Sequence, residues 1–129
     1  MTHPGLVEAM TDPRFYPHRP EHVELVQTHI SYIFIAGDLV FKVKKAVDFG
    51  FLDFTTLEKR RYYCQEELRL NRRLAPEAYL EVVAVCEDGG RLLLGTGRGG
   101  VVEYAVKMVR LPRERMLKKL LAEGRVTSS

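Results

Sequence analysis

Two ionisable side chains in this sequence have the type and setting that phosphate chemistry uses. Lys42 stands in the middle of residues 39–43, LVFKV, a stretch that reads as a strand. A lysine ammonium is a compact charge with three donors, so it can neutralise oxygens of two phosphate groups at once. Glu67 stands in the helical run 56–74. At about 100° per residue, Leu57, Tyr63, Cys64, Leu68, Leu70 and Leu74 fall in one arc with Glu67 near its middle, which turns the carboxylate toward the sheet. An unpaired buried carboxylate costs several kcal/mol, so a cation must meet it, and Lys42 on the adjoining strand is the economical partner. Two readings follow: Glu67 aims Lys42 at an anion, or the two form a structural ion pair without a ligand. Glu66, at the edge of the arc, is expected in solvent or paired with Arg69 or Arg73 along the helix.

The elements that would position these groups follow from pattern. Residues 6–10 can form a short helix, after which DPRFYPHRP, with three prolines, stops regular structure until about residue 21. VELVQTHIS, YIFIAG and LVFKVKKAV are rich in the residues that fit a pleated surface and predict three strands. Alternation puts Lys42 and Lys44 on one face with Val40. Ala36, Gly37 and Asp38 supply the hairpin turn before the third strand. Thr55 with Glu58 matches a capping box, and the helix it opens should stop before Pro76. YLEVVAVCE and VVEYAVKMV predict two more strands across a glycine-rich linker, whose LLL could add another.

The expected fold is therefore α+β: an antiparallel five-stranded sheet, one long helix after the third strand, and a terminal helix. That last helix is read from LPRERMLKKLLAEG, with Pro112 near its first turn, Leu117, Leu120 and Leu121 on one side, and Gly124 as its stop. The divisions are an amino-terminal arm over 1–22, a sheet-and-helix lobe over 23–111, and the helical tail over 112–129.

With 129 residues and 46% of them apolar, the chain can bury one modest core. A net charge of +3 spread among both signs argues against nucleic-acid binding. The candidate basic face, Arg60, Arg61, Arg69, Arg72 and Arg73, interleaves with Glu58, Glu66 and Glu67 and reads as a solvated helix surface. Cys64 and Cys86 lie in apolar patterns and read as buried free thiols. Without a basic-then-apolar leader or a run of about 18 apolar residues, the expectation is a soluble cytoplasmic protein with no membrane partner.

A helix inserted after the third strand of an antiparallel sheet, with a lysine on that strand and a glutamate on that helix, resembles the small lobe of kinase-like enzymes. The helix run EELRLNRRLAP fits E-x-x-L-x-x-x-L, a pattern of phosphotransferase helices. Across nearly the whole chain, HISYIFIAGDLVFKVKKAVDFGFLDFTTLEKRRYYCQEELRLNRRLAPEAYL followed by VEYAVKMVRLPRERML resembles the amino-terminal part of bacterial bifunctional aminoglycoside phosphotransferase and ATP-binding proteins.

That resemblance implies ATP as ligand. Lys42, held by Glu67, would meet its α and β phosphates. In place of a G-x-G-x-x-G the first strand connection carries QTHIS, where backbone amides of 29–31 and the Ser31 hydroxyl would cap phosphates, and His29 is either a phosphate ligand or a turn residue. The final strand would run into a hinge that receives adenine on free main-chain groups, with Val106, Lys107 and Met108 as its lining. Met108 could pack its thioether on the base or serve the core. Asp48, Phe49 and Gly50 spell the magnesium-binding DFG of protein kinases but precede the helix, so they are read as a turn.

No H-x-D with a downstream asparagine follows the expected hinge. Magnesium is accordingly expected only with a large lobe, and transfer requires that absent half; the expected partners are nucleotide and the absent lobe or a self-associated copy. The alternatives are a lobe kept for protein interaction or self-association, and a basic nucleic-acid binder.

Overall fold

The computed structural model describes residues 3–48, 50, 53–95 and 99–110. Helix α1 (Leu6–Thr11) and a 3-10 turn (Pro13–Phe15) lead into strands β1 (Val23–Gln27), β2 (Ser31–Ala36) and β3 (Leu39–Lys44). Helix α2 (Leu57–Leu74) follows, then β4 (Tyr79–Asp88), β5 (Arg91–Leu94) and β6 (Gly100–Val109). The strands make one sheet in the order β1-β2-β3-β6-β4-β5, and every neighbouring pair is antiparallel. This is the expected α+β architecture with six strands in place of five, because Arg91–Leu94 folds back on the end of β4 as a hairpin.

The β2–β3 hairpin closes where Ala36 faces Leu39, with Gly37 at φ +65° between them. A side chain there would be strained by that φ and would press on Pro20 at 3.3 Å. β6 then inserts between β3 and β4, so Lys42 on β3 lies inside the sheet, opposite Ile33 on one side and Val106 on the other.

Both faces of the sheet are covered. Phe34, Ala36, Phe41, Val43, Val85 and Ala105 pack with Leu6, Met10 and Tyr16, so the arm is part of the core on that side. Its proline-rich part earns its place by Tyr16, whose hydroxyl donates to the Met10 carbonyl while its ring packs on Phe41. On the other face Ile33, Ile35, Val40, Val106 and Met108 pack with Cys64, Ala78 and Tyr79 under α2. Cys64 and Cys86 are buried free thiols, as their patterns predict.

Helix α2 has the predicted length and a different start and rotation. Thr56, not Thr55, is the cap: its hydroxyl accepts the Lys59 amide at 3.2 Å, while Thr55 turns its own hydroxyl and amide to Asp53. The residues α2 buries are Arg60 and Cys64. Leu70 and Leu74, placed in the inner arc by the sequence pattern, are 50% and 85% exposed. Leu70 sits about 120° round the helix from Cys64, so an arc drawn through every leucine is centred too far from the sheet. The predicted tail helix over 112–129 lies outside the described residues.

Candidate functional site

Lys42, Lys44 and Glu67 meet between β3 and α2. Lys42 Nζ donates to Glu67 Oε2 at 2.7 Å, and Lys44 Nζ donates to Glu67 Oε1 at 2.7 Å. Both lysine side chains are almost wholly buried, at 3% and 6% exposure, and Glu67 is at 14%. Period-two alternation brings the lysines together: they are two residues apart on one strand and share the face that α2 covers. Glu67 comes from one turn beyond Cys64, the deepest residue of the helix.

Burial alone would push the Glu67 carboxyl up, but the two ammonium groups outweigh it and hold it below the ordinary glutamate range. The opposite outcome is seen nearby at Cys64, whose thiol is pushed up to about 12 by burial. That sulfur is inert packing, with a weak hydrogen bond to the Tyr104 carbonyl. The Lys44 ammonium also lies 5.2 Å from the centre of the Phe54 ring.

The other expected site residues divide. Ser31 is buried at the start of β2 directly opposite Lys44. His29 is exposed in the β1–β2 connection. Two of the loop amides are already occupied: those of Ile30 and Ser31 reach the Thr28 hydroxyl at 3.3 and 3.0 Å. Their use as a phosphate cap would require this turn to reopen.

Val106 and Met108 share the Lys42 face, buried in the core beneath α2. Lys107 points to the other face, 3.7 Å from Glu81. The expectation that residues 106–108 offer free main-chain groups is corrected here, since β3 and β4 flank them on both sides. Even Val109 and Arg110 donate their amides to Ala78 and Asp38. An inner strand has no unused edge, so the main-chain groups of 106–108 are not open to a ligand.

Asp48 accepts the Gly50 amide at 2.7 Å and forms an isolated antiparallel bridge with Asp53; Phe49 lies outside the described residues. Glu66 pairs with Arg69 at 2.7 Å on the exposed side of α2, as helical spacing predicts.

Sequence reasoning missed a second buried pair. Arg60, placed on the solvated face with the other arginines, is 2% exposed and donates through Nε to Glu103 Oε1 at 2.9 Å and through Nη1 to the Phe54 carbonyl at 2.8 Å. Glu103 is fully buried, and burial raises its carboxyl more than Arg60 lowers it. Among the described residues its Oε2 has no hydrogen-bond partner. The available signal was Arg60 standing four residues before Cys64, one turn back on the same face. This pair is scaffold: it ties the start of α2 to β6 and so fixes how far Glu67 reaches over β3.

A shallow groove lined by Asp53, Thr56, Leu57, Lys59, Tyr62 and Tyr63 opens at the start of α2. Neither Lys42 nor Glu67 lines it, so the buried ionic cluster and the surface hollow are separate features. No group of three or more metal-ligating side chains occurs among the described residues. No helix among them is long and apolar enough to cross a membrane.

No family model and no solved structure matches the chain. Uncharacterized proteins of Mycobacterium bovis and of two Mycobacterium tuberculosis strains, CDC 1551 and H37Rv, are each 38% identical to it over 68 residues. The match covers 53% of this chain and 14% of each relative, so the chain corresponds to a small part of those longer proteins.

Proposed function

We propose that this chain is the nucleotide-gripping lobe of a kinase-like phosphotransferase, with Lys42 meeting the phosphates of ATP and Glu67 holding it in place. The observation that carries the reading is the 2.7 Å contact from Lys42, inside the third strand, to Glu67 on the helix that follows. A structural pair explains the contact equally well in isolation. What favours a phosphate role is the chemistry of the set: buried ammonium groups preorganised on one sheet face are strong donors to phosphoryl oxygens.

Residues 106–108, paired to strands on both sides, are not the adenine contact in this reading. Ser31 and His29 border the phosphate end only if the Thr28 turn rearranges. The acceptor hydroxyl and magnesium are served by groups supplied from elsewhere, as no H-x-D segment with a downstream asparagine occurs in the sequence.

Titration of the 129-residue chain with a fluorescent ATP analogue tests this. Saturable binding that is lost in Lys42→Ala, with an unchanged circular dichroism spectrum, is the expected result. Absence of binding at millimolar nucleotide, or equal binding by the variant, would refute it.

A second reading is favoured by one observation. Tyr62, Leu70 and Leu74 are 58%, 50% and 85% exposed along α2, an apolar strip suited to contact with another protein surface. Light scattering across a concentration series distinguishes the two: self-association abolished by Leu70→Lys with Leu74→Lys, in a chain that ignores ATP, would support an interaction module.

A further inference from the structure

We infer that the exposed side of α2 is a self-complementary contact, through which two copies of this chain pair antiparallel about a two-fold axis. The inference rests on the interaction reading, to which it adds the partner and its direction, and it requires no nucleotide.

The shape of the helix surface matches itself when reversed. Tyr62, Leu70 and Leu74 are exposed along a strip about 120° wide. Leu74 ends that strip at 85% exposure, and the shallow hollow walled by Leu57, Tyr62 and Tyr63 begins it. Tyr63 and Leu74 project within about 20° of one another, so knob and hollow lie on one flank at opposite ends. Antiparallel packing sets each flank of a helix against the same flank of its partner, and a two-fold axis makes every contact twice. Leu74 of each copy then enters the hollow of the other, and Tyr62 of each meets Leu70 of the other.

The charges select the same direction. Among the described residues Lys59 pairs with Asp53, Arg61 lies over the Tyr104 ring, and Glu66 pairs with Arg69. Glu58 and Arg73 are exposed and have no such partner. They lie along the other flank of the strip, about 22 Å apart on the helix axis. Arg72 is turned about 100° from Arg73, away from the strip. A parallel copy would bring like charges together at each end, whereas an antiparallel copy sets each Glu58 beside the other chain's Arg73. Glu66, at the middle, is already neutralised by Arg69 at 2.7 Å, so the axis does not oppose two bare carboxylates. A contact made by one helix pair falls at or below the roughly 1,200 Å² of stable interfaces, which makes the dimer weak and reversible.

Sedimentation of the full chain at low salt, into the high micromolar range, tests the pairing. Glu58→Arg and Arg73→Glu should each weaken dimerisation by about tenfold or more. Mixing the two variants should restore it, because every end then joins opposite charges. Both positions are exposed, so each monomer keeps its fold. Direction is read from cysteine pairs: Glu58→Cys chains should form disulfides with Arg73→Cys chains and not with their own kind, while the native thiols stay buried. Association indifferent to both charge reversals, or cysteine chains that couple with their own kind, would overturn the antiparallel arrangement and leave the interaction reading standing. A parent that remains monomeric would overturn the pairing and self-association together, leaving the strip to a different protein or to residues 111–129 of the same chain.

Discussion

Glu67 divides its two oxygens between two cations, and that division governs what single substitutions do at this site. Lys42→Ala leaves Glu67 paired with Lys44, so the fold should persist while the nucleotide affinity proposed for this site goes. Glu67→Ala instead leaves two buried ammonium groups without their shared acid. It should lower stability by about 3 kcal/mol or more, read from urea denaturation, and weaken the proposed nucleotide binding. The same carboxyl makes a pH prediction. Its pKa is lowered on folding from the ordinary 4.5, so the unfolded chain binds more protons as pH falls and the native state is penalised. The stabilisation it gives is complete above that value and is lost as pH falls below it. Urea midpoints of the parent and Glu67→Gln should therefore differ most at neutral pH and converge in acid; a gap constant with pH would contradict the pairing. The identity of Lys42 and Glu67 as partners was legible from strand alternation and helix arc. The share taken by Lys44 was not, since period two places a residue on a face without saying how far its side chain bends.

Between elements, the orientation of α2 depends on the buried link from Arg60 to Glu103 and to the Phe54 carbonyl. Arg60→Met should destabilise by about 3–5 kcal/mol, because it strands a buried carboxylate. Adding Glu103→Leu should recover much of the loss, and a double-mutant cycle in urea measures the coupling. Thr56→Ala should cost about 1 kcal/mol by removing the helix cap. Helix length and strand identity were readable from periodicity and caps. Rotation was not: the pattern favoured Leu70 and Leu74 as inner residues, whereas an arginine with its own acid occupies the inner stripe. Hydrophobicity cannot anticipate a buried charge whose partner lies forty-three residues away on another strand.

For the whole molecule, the sheet is a middle layer between α2 and the amino-terminal arm. Leu6, Met10 and Tyr16 are fully buried on the arm side, so the arm is a structural layer and not a detachable extension. Met10→Ala should destabilise by about 2–5 kcal/mol, the usual range for such a cavity, and should loosen the sheet face opposite the lysines. Thermal melts check the first effect, and hydrogen exchange at β2 and β3 the second. Leu74→Lys, by contrast, should leave stability within about 0.5 kcal/mol, because that side chain is already in solvent. Three prolines had marked the arm as irregular, correctly for its backbone; its contribution to the core comes from single side chains that no period reveals.

The sequence by itself determined the class of fold, the meander of three strands, the long helix after them and the opposed charges of Lys42 and Glu67, because each is written in local periodicity, turn residues and burial cost. Tertiary structure decided that β6 enters between β3 and β4, which closes the main chain of residues 106–108 within the sheet. It also decided that Arg60 is buried and that one carboxylate serves two lysines. Those outcomes arise from contacts between residues distant along the chain, and the packing of layers, not local preference, selects among them.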